Sequence, residues 1–355
     1  MKRVGVLFLA AAIAAGVCAS PSGQNAPTRP AWQRVELAHA GERYPFAVYA
    51  NMPFGQDLPD VDTAVIIFHG LLRNGNDYYT AAVKLLAESG ARQSATLLLA
   101  PNFLAVADAG KPGVDGMPLW TVQGWIVGED AVNGRFALSS LDVLDDLVAS
   151  LSDREHLPAL KRVVIAGHSG GAQIAQRYAV LNAIDERTRA RGIELRYIVA
   201  NPSSYLYFDN LRPQGGAFAP YNTTWCPNYN DYRYGLDRIV RYAGAASGSD
   251  LFRRYAARDV TYLLGSLDID PRHPALDKQC GAEAEGANRN ERGRGYLKHL
   301  MHLAGTSRLN HRAFEVQGVG HGQEKMFGST CGTEALFGRR ANAATAAACV
   351  PIDMH

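Results

Sequence analysis

The chain of 355 residues carries a serine, a histidine and two carboxylates in surroundings that would suit nucleophilic catalysis. Ser169 stands in the middle of Gly167-His168-Ser169-Gly170-Gly171, a G-x-S-x-G turn. A serine hydroxyl is a weak nucleophile: it needs a base to take its proton, and the base needs a third group to hold it in the right tautomer. His321, flanked by Gly320 and Gly322, could supply an uncrowded imidazole, and the turn Gly265-Ser266-Leu267-Asp268-Ile269-Asp270-Pro271 offers two carboxylates. The backbone N–H of Gly170, at the start of a helix, could face an oxyanion with the helix dipole behind it. Such a set would perform acyl transfer in two steps.

These side chains must be positioned by the elements around them. Residues 163–166 form a short apolar, β-branched run that reads as a buried strand. Residues 172–181, with Ile174, Tyr178 and Leu181 at helical spacing, read as the helix after it. Strand, G-x-S-x-G and helix in that order form the context in which the motif has a mechanical meaning, with Gly167 and Gly171 leaving room at a sharp turn. Further strands are expected at 35–38 and 44–49 as an antiparallel pair, then at 64–68, 96–100, 195–200 and 260–264, with 313–316 as the last. Helices are expected at 78–88, after Ser139 and Asp142 as a capping pair, and at 291–303 ending at Gly305. Strands alternating with helices imply a mostly parallel sheet covered on both faces. In such sheets functional groups project from the carboxyl ends of the strands, and both Asp268 and His321 follow strands.

The order Ser169, aspartate, His321 and the GHSGG elbow resemble the α/β-hydrolase superfamily over roughly residues 35–328, and in particular its secreted serine esterase-like members. The resemblance implies an α/β-hydrolase fold and a Ser-His-Asp triad in which His321 is preferred over His273, His299, His302 and His311. It also implies Asp268 rather than Asp270 as the acid, because the Gly-x-x-Asp spacing is that of the family's acid turn. His69-Gly70-Leu71 resembles the family's H-G-x turn, which makes the Leu71 N–H the partner of the Gly170 N–H in an oxyanion hole and gives His69 a structural role. The implied activity is a serine carboxylic ester hydrolase without a cofactor, acting on a small-molecule or polymeric ester. A serine peptidase or amidase on the same fold, and a non-catalytic binding protein that keeps the scaffold, are the rival readings.

Two long connections break the alternation, 101–133 and 201–249. Both are rich in aromatics, and the second is expected to form a lid. Trp120, Trp125 and Tyr205 are the candidate substrate contacts, suited to aromatic or polyester substrates, with packing of the insertion onto the sheet as the alternative.

The N-terminus has Lys2 and Arg3, an apolar segment at 4–17 and the small-residue end Val17-Cys18-Ala19, the three parts of a secretory signal peptide at 1–19. The apolar run is too short and alanine-rich for a membrane span. Ala15-Gly16-Val17 is a poor context for lipid anchoring through Cys18. Residues 20–30 read as a disordered tail, and 31–355 as one domain. Loss of Lys2 and Arg3 would bring Lys+Arg from 36 to 34, level with Asp+Glu at 34, leaving no basic field for nucleic acid. A secreted or periplasmic location would be oxidising, so Cys226, Cys280, Cys331 and Cys349 are expected to form two disulfides. Three connectivities are open. Cys226–Cys280 and Cys331–Cys349 are favoured, tying down the insertion and the C-terminal tail. No C-x-x-C pair, Walker A loop, H-E-x-x-H or dinucleotide fingerprint is present, so no metal or nucleotide is expected.

Overall fold

The structure, a computed structural model, describes Met1 and residues 31–339 and 346–354. The leader and tail read at 2–30 lie outside the described residues. Chain order runs through β1 (Gln33–His39), β2 (Glu42–Ala50), β3 (Thr63–Phe68), α1 (Gly75–Glu88), β4 (Thr96–Pro101), α2 (Gly124–Val127), α3 (Ser140–Leu151), β5 (Arg162–His168), α4 (Gly170–Leu181), α5 (Ile184–Ala190) and β6 (Glu194–Ala200). It continues through β7 (Leu211–Gln214), β8 (Ala217–Pro220), α6 (Gly248–Ala256), β9 (Asp259–Gly265), α7 (Cys280–Glu283), α8 (Arg289–Ala304), β10 (His311–Val316), α9 (Gln323–Phe327), α10 (Thr330–Phe337) and β11 (Cys349–Ile352).

Nine strands form one sheet in the order β1-β2-β4-β3-β5-β6-β9-β10-β11. From β4 to β10 every neighbour is parallel, while β1, β2 and β11 lie antiparallel at the edges. The inner strands are apolar throughout because both faces are covered. Ala64, Ile66, Phe68, Val163 and Ile165 enter the core under α3, α4 and α8, whereas Val65, Ile67, Val164 and Ala166 enter the core under α1, α9 and α10. Each fully buried aliphatic side chain contributes roughly 1.5–3 kcal/mol, so the two cores fix the sheet as a stiff platform. At α3, the Ser139 hydroxyl accepts from Leu141 N–H while Asp142 accepts from Ser139 N–H.

Residues 313–316 do not form the last strand. β11 adds to the free edge of β10, delivered there by the Cys331–Cys349 disulfide. Its sequence, Cys-Val-Pro-Ile, has neither length nor alternation to mark it, and its proline is tolerated because the strand is at an edge.

The second disulfide joins Cys226 to Cys280, across 54 residues, and ties the 201–249 segment to the loop after β9. Half of that segment's ten aromatics are buried, and four more are half-buried. Tyr205, Tyr207, Phe208, Tyr229 and Tyr234 are buried, and Tyr205 stacks on Tyr296 of α8 at 4.4 Å. Trp225 is the exception, three-quarters exposed. The buried Arg212 guanidinium lies over the Tyr207 ring at 4.2 Å and donates to the carbonyls of Asp209, Tyr229 and Tyr234. Beside them burial pushes the Glu285 carboxyl up to about 8, against the pull of Arg292, Arg212 and Arg177.

Candidate active site

The site lies where β5 meets α4. Ser169 has φ 59° and ψ −121°, a left-handed conformation rare outside glycine, and it lifts the hydroxyl off the end of the strand. The turn closes only with small neighbours. A Cβ on Gly167 would overlap the Gly171 carbonyl, and one on Gly171 would lie 2.7 Å from the carbonyl oxygens of Phe68 and His69. Ser169 N–H donates to Ala200 O at 3.0 Å, pinning the elbow to β6.

Three side chains far apart in sequence converge here. Ser169 Oγ is 2.9 Å from His321 Nε2, and His321 Nδ1 is 2.8 Å from Asp268 Oδ2. With the carboxylate accepting at Nδ1, that nitrogen carries the proton and Nε2 accepts from the serine hydroxyl. Ser169 is 7% exposed and Asp268 3%, so the line runs from a narrow opening into the interior. Burial alone would raise the Asp268 carboxyl, but the hydrogen bond and charge of His321, with the Arg289 guanidinium behind, hold it below the usual carboxylate range. The Arg289 side chain is fully buried and its Nη1 lies 3.3 Å from Asp268 Oδ1. Asp270 is exposed and accepts from the N–H of Arg272, two residues on.

The loops carrying the acid and the base are braced from behind. Asn201 accepts from Gly265 N–H at 2.8 Å and donates to Gly320 O at 3.2 Å, linking the two turns. Asn290 N–H donates to Asp268 O, and the Asn290 side chain donates to Gly265 O. Two further imidazoles flank His321. His168, fully buried and held in its neutral form by burial, stands 4.6 Å away between ring centroids, and His273 meets it edge-on at 4.9 Å. His168 Nδ1 is 3.3 Å from the Tyr78 hydroxyl, and His273 Nδ1 accepts from Ala275 N–H.

The other histidines weighed from sequence are occupied elsewhere. His299 faces Asp209, His302 stacks on Phe218, and His311 donates to Tyr255 O.

Opposite the histidine, the turn after β3 brings Leu71 beside the elbow. A Cβ on Gly170 would lie 3.1 Å from Leu71 N, so the two backbone nitrogens edge one space. Among the described residues neither N–H has a protein acceptor, and the Gly170 group is one of the orphan donors of the α4 N-terminus. His69 holds that turn: its Nε2 accepts from Phe103 N–H at 3.1 Å and its Nδ1 donates to Gly70 O at 2.9 Å. Burial lowers its pKa to about 4, so it stays neutral, as this pair of bonds requires.

The aromatics expected to touch substrate do not reach the site surface. Trp120, Trp125 and Tyr205 have no exposed side-chain area. Trp125 stacks on Phe103 at 5.4 Å and Trp120 meets it edge-on at 5.3 Å, and each indole N–H is bonded to a backbone carbonyl. Rings of this size gain most from complete burial, and these two have all their polar needs met inside. Trp125 still serves the site indirectly, since its ring lies 4.4 Å from that of His69.

Arg289 and Asn290 carry no signal in the sequence, whereas His273 is weighed there only as a rival base. An arginine in the first turn of a helix carries no mark of burial, and their proximity to Asp268 arises from tertiary folding alone. Among the described residues no cluster of His, Cys, Asp and Glu is arranged to hold a metal ion, and no helix is long and apolar enough to cross a membrane.

No family model matches the sequence, and neither does any curated protein. Solved structures do resemble the fold. The poly(3-hydroxybutyrate) depolymerase LpqC of Bordetella parapertussis superposes with a TM-score of 0.61 at 20% identity, over 88% of this chain and 92% of that one. Poly(aspartic acid) hydrolase-1 of Sphingomonas sp. KT-1 superposes with a TM-score of 0.56 at 19% identity, over 84% and 96%. With its strand order and parallel core, the chain has the α/β-hydrolase fold.

Proposed function

We propose that the protein is a serine hydrolase of carboxylic esters, with Ser169 as nucleophile, His321 as general base and Asp268 as the acid that orients it. One observation carries the reading: the unbroken hydrogen-bonded line from Ser169 Oγ through both nitrogens of His321 to Asp268 Oδ2, at 2.9 and 2.8 Å. The hydroxyl attacks the ester carbonyl as Nε2 takes its proton, and the carbonyl oxygen, now negative, settles between the Leu71 and Gly170 N–H groups. One such donor is worth about 3–4 kcal/mol of transition-state stabilisation. The imidazolium then protonates the leaving alcohol, an acyl-enzyme forms, and a water activated by the same imidazole releases the acid.

Three large apolar side chains next to this machinery are exposed, alongside the carboxylate of Asp270. Leu72, beside the Leu71 donor, is 82% exposed, and Leu267 and Ile269 on either side of Asp268 are 58% and 53% exposed. Such a rim favours an apolar acyl or polyester chain over a charged one. One fold neighbour is a poly(3-hydroxybutyrate) depolymerase, which agrees with a polymeric ester. The signal-peptide pattern at 1–19 and the two disulfides support action outside the cytosol, as a secreted or periplasmic enzyme.

The test is turnover of p-nitrophenyl acetate and butyrate together with labelling by a fluorophosphonate probe. Wild type is expected to hydrolyse both esters and to take up one equivalent of probe, mapped by peptide mass spectrometry to Ser169. A protein that neither turns over ester nor labels is a binding module on this scaffold. Hydrolysis of a p-nitroanilide in clear preference to the matched ester would move the assignment to an amidase.

A further inference from the structure

We propose that Arg289, outside the catalytic line itself, is a positioning residue that fixes the carboxylate of Asp268 for its work on His321. The inference rests on the triad reading above.

Arg289 is the first residue of α8. A helix begins with a positive end, so a cation in the first turn is electrostatically disfavoured unless an anion faces it. The side chain is also fully buried, where an unpaired guanidinium is not tolerated. Both difficulties are met by one group: Asp268, whose Oδ1 lies 3.3 Å from Nη1. The remaining donors join two more segments. Nη2 reaches Ala275 O at 2.6 Å in the loop after β9, and Nε reaches Ser203 Oγ at 3.1 Å in the segment after β6.

The carboxylate is therefore held at both ends, Oδ2 by the imidazole and Oδ1 by the guanidinium, while the next residue, Asn290, holds its backbone carbonyl. No other protein donor serves Oδ1 among the described residues. Without Arg289 the carboxylate is free to turn about its terminal bond, and the imidazole loses the fixed partner that sets its tautomer and its angle to Ser169.

The experiment is a double-mutant cycle between Arg289→Met and Asp268→Ala, read as kcat and KM on p-nitrophenyl butyrate with the active fraction titrated by fluorophosphonate. Arg289→Met alone is expected to lower kcat about 10²-fold, the scale of a small misplacement in a catalytic site, with KM little changed. In the Asp268→Ala background the same substitution is expected to leave kcat where it was, because its route to the chemistry has already been removed. Wild-type kcat in Arg289→Met overturns the inference, and so does an equal further loss in the Asp268→Ala background. If Arg289→Met does not fold, Arg289→Lys, which keeps the buried charge but not the fork, is read in its place, and wild-type kcat there overturns the inference. Full activity in Ser169→Ala would instead sink the triad reading, a result independent of the Arg289 series.

Discussion

Ser169→Ala is expected to lower kcat by about 10⁵–10⁶-fold, to the level at which only the oxyanion donors and substrate binding still act. The loss is that large because alanine removes the covalent route, and among the described residues no other hydroxyl is bonded to His321 Nε2. The fold should not suffer. The elbow is held by the Ser169 N–H bond to Ala200 O and by the glycines around it, all of which remain, and alanine meets the same backbone conformation as serine. Thermal unfolding close to wild type, loss of fluorophosphonate labelling and a collapsed kcat are the expected set. Retention of even a hundredth of wild-type turnover would remove Ser169 from the mechanism.

Asp268→Asn carries the next largest effect, about 10⁴-fold in kcat, because an amide can present its NH₂ to Nδ1 and stabilise the wrong tautomer. Asp270→Asn should behave as wild type, since that carboxylate is exposed and serves only its own turn. The Asp268 variant should also unfold more easily, as it strips the buried Arg289 of its counter-charge. Breaking one side of such a pair costs about 3–5 kcal/mol. This difference has a pH signature. The native Asp268 carboxyl is held below its ordinary value of 3.8, so its contribution to stability is fully present above that pH. It is lost as pH falls from 3.8 through the lower native value, and the stability gap between wild type and Asp268→Asn should close over that acid range. Denaturant titrations at pH 7 and below pH 4 measure both ends. Equal kcat losses in the two aspartate variants would leave neither as the acid.

Elements whose burial pattern is continuous or periodic could be read directly from the chain. β3, β4 and β5 have continuous apolar centres, α3 has its capping box, and the G-x-S-x-G motif that marks the elbow is local in sequence. The oxyanion turn could be placed only through resemblance. What escaped depends on partners distant in sequence. β7 and β8 form a hairpin of two four-residue strands, each with a proline, and β11 is strand-like only because β10 offers an edge. Trp120, Trp125 and Tyr205 were open to two readings because aromatic rings serve cores and binding sites by the same chemistry, and here complete burial decides. Arg289, Arg292, Arg177 and Arg212 look like surface residues in the sequence, yet all four are buried on carboxylates, carbonyls or rings that the fold brings to them.

The backbone at position 169 carries a further implication, for how such a chain would drift. A side chain at φ 59° and ψ −121° is held where glycine alone is comfortable, a tension of roughly 1–3 kcal/mol. Ser169→Gly should therefore be more stable than Ser169→Ala, although both are inert, with part of the gain offset by about 1 kcal/mol of added freedom in the unfolded glycine chain. Heat-denaturation curves of the two inert proteins would expose that difference. Selection for sturdiness alone would thus replace the whole hydroxymethyl side chain with a hydrogen. A descendant bearing glycine at this point would be a protein that had exchanged its reaction for repose.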